Sequence, residues 1–395
     1  MKNRILVSAS LFHGLNDAAT LTVPVVFPLL YSQGFIITKY AHIGVISNLG
    51  FLVTLVCQFI VANYASRHEY RHMLLISLAG ISLSLSLIPL SWSLVSFILF
   101  YLLMRIFASF YHSVGVATVS KSHPDQALDF AMGVQSASGN LGAFLAFIAA
   151  GFLAQNFAWN SPLYILSAAC FIFGIPSFLL VRKISTRIET FPPPDWRSWK
   201  TAFKETAPYF PGFFFGGAAW ITTVFYAPSL LNHRFHIPLG KTGLYLAFWV
   251  AVGSVTPYLH GHLSRKIGRR KIVLLSCLGS SVFLLMLGTT SARLMAVVSL
   301  ILFGTFLFML YPALQSFVGD RVSQQIQIEA FCIVANVQMV AGALVSLASG
   351  FLSDALGINS PFIFLAAVGF GLSAYYLLKN NAQIPPHNSR APGSF

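Results

Sequence analysis

Apolar residues run along this chain in blocks long enough to be counted, because a helix needs about 20 of them to cross a bilayer's hydrocarbon core. The blocks fall near residues 6–31, 41–65, 73–91, 94–118, 127–155, 161–181, 208–232, 241–263, 272–290, 294–318, 327–355 and 360–379. They predict twelve membrane-spanning helices joined by short polar turns. The one long interruption is 182–207, where Arg182, Lys183, Arg187, Pro192, Pro193, Pro194, Arg197, Lys200 and Lys204 gather. It sets the expected organisation: an N-terminal bundle (1–181), a cytoplasmic linker (182–207), a C-terminal bundle (208–379) and a cytoplasmic tail (380–395).

The two bundles repeat one another. Gly151-Phe152-Leu153 followed by Asn160-Ser161-Pro162 returns as Gly350-Phe351-Leu352 followed by Asn359-Ser360-Pro361, an offset of 199 positions. Pro28 and Pro228, and Tyr111 and Tyr311, keep that offset within one residue. A duplicated six-span unit implies a two-bundle membrane transporter with its site between the repeats. The expected fold is an all-α membrane protein, twelve transmembrane helices in two six-helix pseudo-symmetric bundles.

Composition agrees, since 56% hydrophobic and 9% charged residues, with a mean hydropathy of +0.75, leave too little polar surface for a soluble globule of 395 residues. The net charge of +14 does not indicate nucleic acid, because the basic residues lie in short loops and not on one face. It indicates orientation. With the N-terminus inside, nineteen basic residues face the cytoplasm, from Lys2, Arg4, Arg67, Arg71 and Lys121 through the linker to Lys379 and Arg390, against four outside, Lys39, Arg234, Lys241 and Arg293. Both termini are therefore expected in the cytoplasm. Lys2 and Arg4 ahead of an apolar run resemble a signal peptide, but the run outlasts signal length, holds His13, Asn16 and Asp17, and lacks a cleavage site. It reads as the first span. Cys57, Cys170, Cys277 and Cys332 fall singly in the spans, without disulfide or metal spacing, and read as packing residues.

Two charges stand out because they lie mid-span: Asp17 in span one and Arg105 in span four. A lone charge at the bilayer centre costs about 2.5–3.5 kcal/mol on insertion scales, so each should face the interior and find a partner. Their similar depth makes them expected partners for each other. His13 lies one turn from Asp17 on the same face, and His112 lies about 10 Å from Arg105 by helical rise. The four predict a polar, proton-coupling track in the N-terminal half. The C-terminal half offers Thr222, Thr223, Tyr226, Tyr245, Trp249, Tyr311, Asn336 and Gln338 and is expected to hold no buried ionisable residue. An enzyme is not expected, because only one carboxylate lies near the middle of a span and there is no nucleophile–base pair, and Gly139-Asn140-Leu141-Gly142 lacks a phosphate loop's lysine. No cofactor is expected.

Gly261-His262-Leu263-Ser264-Arg265-Lys266-Ile267-Gly268-Arg269-Arg270-Lys271 resembles the G-x-L-x-D-R-x-G-R-R loop signature of the major facilitator superfamily, with Arg265 where the family usually has Asp. The loop from Arg67 to His72 is a worn copy of it. The resemblance implies the major facilitator fold, a cavity lined by spans one, four, seven and ten, and gating roles for Gly261, Arg265, Gly268 and Arg269. Arg105-x-x-x-Ser109-x-x-x-Ser113 is similar to the span-four Arg-x-x-x-Gly-x-x-x-Gly motif of drug/proton antiporters. A narrower set, His13-x-x-Asn16-Asp17, Pro28-Leu29-Leu30, Phe110-Tyr111-His112, Gln135 and Gly139-Asn140-x-Gly142, resembles the fosmidomycin-resistance branch, in which Pro stands where this chain has Ser113.

That resemblance implies a proton-driven exporter of small polar drugs or metabolites in a bacterial inner membrane. Proton coupling is expected of Asp17, Arg105 and His13, and substrate binding of Asn16, Tyr111, His112, Gln135, Asn140, Tyr311 and Gln338. The expected partners are a small-molecule substrate, protons and the lipid bilayer, with no nucleic acid and the chain a monomer. Two alternatives stay open: uptake of a small organic anion by proton symport, the anion freeing Asp17 from Arg105, and a non-transporting receptor or scaffold.

Overall fold

The computed structural model describes residues 2–65, 68–123, 126–185 and 196–378; within them, the side chains of residues 59, 62–65, 112, 113, 126, 128, 129, 261, 324 and 328 lie outside the description. Helices run at α1 Lys2–Gln33, α2 Tyr40–Ala65, α3 Tyr70–Leu87, α4 Leu94–Ser122, α5 Gln126–Asn156, α6 Ser161–Val181, α7 Trp196–Thr206, α8 Phe210–Ser229, α9 Leu239–Ile267, α10 Arg269–Thr289, α11 Arg293–Arg321, α12 Gln327–Leu356 and α13 Ser360–Leu378. Among the described residues, eleven helical segments are long and apolar enough to cross a membrane. Helix α1 falls short only on average apolarity, because His13, Asn16 and Asp17 sit in its middle. It packs against α4, α5 and α6 among the other helices and supplies the twelfth span. The protein is a multi-pass membrane protein.

The predicted spans match α1–α6 and α8–α13 closely. The prediction missed α7 inside the linker, whose sequence Trp196-Arg197-Ser198-Trp199-Lys200 is too polar to count as a span but turns an apolar edge on α12. Helix boundaries follow local chemistry. Ser93 caps α4 and trades hydrogen bonds with Ser96 in a capping box. Between α9 and α10 the chain reverses at Gly268, whose φ of +83° is open to glycine but strained for any residue with a Cβ.

Small residues decide how closely helices cross. A Cβ on Gly142 of α5 would lie 2.1 Å from the Gly14 carbonyl oxygen of α1, and one on Gly217 of α8 would lie 2.2 Å from that of Gln338 on α12. Helices touching at such contacts bring backbone and short polar side chains together in a medium where lipid offers none. Of the cysteines, Cys170 and Cys277 are buried as packing residues, while Cys57 is half-buried and Cys332 exposed; all four are free.

Candidate functional site

The N-terminal half gathers a compact polar cluster around α1. His13 Nε2 lies 3.2 Å from Asp17 Oδ2, one turn away, and His13 Nδ1 lies 2.8 Å from the main-chain oxygen of Gln135 on α5. Asn16 donates to Asp17 Oδ1 at 3.4 Å. Tyr111 of α4 stacks on the imidazole, with ring centroids 4.2 Å apart and planes 16° from parallel. The cluster fits because Gly139 of α5 has no side chain: a Cβ there would lie 2.5 Å from the His13 ring and 2.7 Å from Asp17 Oδ2.

This geometry limits where protons can sit. A carbonyl oxygen can only accept, so Nδ1 carries a hydrogen. One further proton is then shared by Nε2 and Oδ2, as imidazolium with carboxylate or as neutral imidazole with carboxylic acid. Removing it sets two lone pairs against each other across 3.2 Å. The two groups are placed to share one proton.

Arg105 does not join it. Phe12 meets Tyr111, and Phe27 meets Phe97, so α1 and α4 run antiparallel with Asp17 level with the turn that holds Arg105. The expected depth is right and the expected direction is wrong. Arg105 and Tyr111 are six residues apart, about 120° around a helix, and since Tyr111 faces α1, Arg105 turns to α2. There its Nε donates to Thr54 Oγ1 at 3.0 Å and the Gly50 carbonyl at 3.4 Å, and the guanidinium lies 4.8 Å from the Phe51 ring centroid. The expected Asp17–Arg105 pair is replaced by a His13–Asp17 pair and an Arg105–α2 contact.

Of the other expected site residues, Asn16, Gln135 and Tyr111 lie in the dyad cluster, although Gln135 contributes its backbone carbonyl. Asn140 is exposed on α5, outside the cluster. His112 belongs to α4, with its side chain outside the described residues, as are the surroundings of Gly261 in α9. Tyr311 and Gln338 flank Gly216 and Gly217 of α8 in the other half. Trp249 stacks on Trp220 at 4.8 Å, and Asn336 lines an apolar groove of about 680 Å³ between α7, α8 and α12 that touches none of α1, α4 or α5. The expectation of no buried ionisable residue in this half is corrected by Glu329, 6% exposed in the first turn of α12, and His260, 8% exposed in α9. Glu329 lies in the first turn of α12 and His260 about two turns before the end of α9, close enough to the span ends to read as loop-proximal in the sequence. Arg269 pairs with Asp320 across the α10–α11 ends, and Arg265 is exposed.

The two halves meet through a clasp on the face opposite α7. The Asp354 carboxylate of α12 accepts from Tyr40 N at 2.8 Å and Ala41 N at 2.9 Å, capping α2. Gln155 of α5 accepts from Gly240 N at 2.7 Å, capping α9. Gln155 and Asp354 differ by the repeat offset of 199, so the two caps are copies of one contact. Their neighbours repeat too: a Cβ on Gly350 would meet Tyr40 O at 2.8 Å, and one on Gly151 would meet Leu239 O at 2.5 Å. Ser47 and Ser346 lie 2.5 Å apart at their hydroxyls. His233, carried on a widened turn at Leu230–Arg234, donates to Pro28 O at 3.0 Å and accepts from Tyr40 Oη at 2.9 Å. The sequence reading passed over Gln155, Asp354 and His233; the repeat offset was the signal that marked the first two.

A duplicated bundle of twelve spanning helices, clasped at one face and carrying a protonatable dyad mid-membrane, defines the architecture of a membrane transporter. The chain belongs to the Major Facilitator Superfamily, whose sequence profile matches residues 7–346 and, in a second overlapping match, 254–394. Among solved structures it is similar to a bacterial homologue of the human lysosomal transporter Spinster in an inward-facing, unoccupied conformation (15% identity, 96% of this chain and 97% of that one, TM-score 0.81). It is also similar to the nucleoside transporter NupG (13% identity, 97% and 99% covered, TM-score 0.78) and to a POT family transporter in complex with 5-aminolevulinic acid (13%, 95% and 96%, TM-score 0.77). No curated protein sequence matches it.

Proposed function

We propose that the protein is a proton-coupled secondary transporter that exports small polar compounds by alternating access, and that the His13–Asp17 dyad is its proton carrier. The observation that carries this reading is the dyad itself: a carboxylate and an imidazole, 3.2 Å apart at mid-helix, in contact with two neighbouring helices. An ionisable group in the middle of a spanning helix is costly in a membrane and by default marks a functional site. The gradient supplies the work, about 2.3 kcal/mol per proton per 100 mV.

In this reading residues 1–181 and 208–379 are the two rocking bodies, linked by 182–207, with both termini in the cytoplasm of a bacterial inner membrane and the clasp closing the outer face. Gly261, Arg265, Gly268 and Arg269 lie at the cytoplasmic mouth that opens and closes. Export rests on the resemblance to the fosmidomycin-resistance branch. Uptake by symport was to work through an anion freeing Asp17 from Arg105, and those residues are not in contact.

The test is transport itself. In proteoliposomes screened with small polar compounds, wild type should move protons when its substrate is added and should concentrate that substrate against its gradient. Asp17→Asn keeps the size but cannot release a proton, so it should lose concentrative transport while retaining counterflow exchange. Concentrative transport by Asp17→Asn would contradict the reading.

A further inference from the structure

Arg105 is 7% exposed, mid-membrane, and has no counter-charge among the described residues. Both of its hydrogen bonds use Nε, so its terminal N–H groups meet no acceptor among the described residues. No carboxylate among them lies within 4.0 Å of it. One turn along the same face, the Tyr101 hydroxyl is fully buried and also without a partner. These are two neighbouring donors with nothing to donate to. The guanidinium meanwhile rests on Phe51 at 4.8 Å. Phe51 lies edge-on to Phe225 of the other half, with centroids 6.0 Å apart at 61°, and Phe225 lies 6.0 Å from Phe27. Phe27, Phe51 and Phe225 thus form an aromatic plug where the halves meet, and Arg105 is in contact with one of its three rings.

We infer that Arg105, assisted by Tyr101, anchors an anionic head on the transported molecule, a carboxylate or a phosphonate-like group, and that filling this site loosens the aromatic plug. The inference rests on the transport reading above and names its substrate class. A planar guanidinium with free N–H groups matches two oxygens of such a head, whereas a neutral amide satisfies it poorly and an ammonium is repelled. An anion drawn to the guanidinium competes with the Phe51 π face for it. Phe51 then loses its support, and its contact with Phe225 across the halves weakens. Substrate and proton occupy different residues, so exchange between them runs through the gate and not by displacement at one site.

The test uses the full chain in nanodiscs at neutral pH with four short-chain probes: propionate, propylphosphonate, propionamide and propylammonium. Binding is read by calorimetry and by the shift in melting temperature. At least one anionic probe should bind and the other two should not; the two anionic arms decide which head fits. Arg105→Gln should weaken anion binding by about tenfold or more. If Arg105→Gln does not fold, Thr54→Val, which removes the Nε acceptor, should weaken binding several-fold. In a cysteine-free background, Ser47→Cys with Ser346→Cys should cross-link more slowly when the anion is bound, and that slowing should vanish in Phe51→Leu. Equal response to all four probes, no response to either anion, full binding by Arg105→Gln or Thr54→Val, or cross-linking blind to the anion would each overturn the inference. Concentrative transport by Asp17→Asn would count against the proton reading alone.

Discussion

His13 and Asp17 work as a pair because of what surrounds them, and the residue that permits the pairing has no side chain. Gly139→Ala places a methyl group 2.5 Å from the imidazole and 2.7 Å from the carboxylate. Overpacking of this kind costs about 1–3 kcal/mol, and here the strain falls on the dyad. Gly139→Ala should cut proton-coupled flux at least tenfold while leaving the yield of folded protein within twofold, measured by flux and size-exclusion chromatography; unaltered flux would refute the packing argument. Arg105→Ala and Asp17→Asn, at separate contacts, should lose stability additively in a double-mutant cycle, within about 0.5 kcal/mol; strong coupling would restore the pair expected from depth. The identity and depth of His13, Asp17 and Arg105 were legible in the sequence, since polar residues stand out against apolar spans. Direction around the helix was not, because it depends on which face of α4 the neighbours claim. Glycine's part at position 139 was equally hidden, since only its distance to the dyad reveals it.

The helices are joined to one another by repeated contacts, and the duplication visible in sequence has a mechanical counterpart in the clasp. Asp354 holds the start of α2, and its repeat mate Gln155 holds the start of α9. Each is a cap supplied from across the interface, and caps contribute about 1 kcal/mol. Replacing both by Ala should loosen the clasped face, raising the reaction of Ser47→Cys with an impermeant thiol reagent added outside several-fold; an unchanged rate would remove the clasp from the gating account. Span positions were readable because apolar length is nearly decisive in a membrane. Helix α7 escaped notice because an interfacial helix is defined by one apolar edge and not by mean hydropathy.

At the scale of the whole molecule, the hydrogen bonds described between residues 1–181 and 208–378 all lie toward the clasped face. The aromatic plug lies behind them and the dyad behind the plug. Alternating access requires that proton occupancy at the dyad bias which face is closed, since a ligand shifts an equilibrium only through differential affinity for its two states. That bias can be measured without knowing the substrate. Spin labels at Trp92→Cys and Leu294→Cys, both highly exposed near the clasped face and on opposite halves, report the separation of the two halves by pulsed electron resonance across a pH series in nanodiscs. Wild type should shift between two distance populations as pH changes, and Asp17→Asn should keep the same distribution between them at every pH. A distance distribution that ignores pH in wild type, or that responds identically in Asp17→Asn, would contradict the proposal that the His13–Asp17 dyad couples protons to transport.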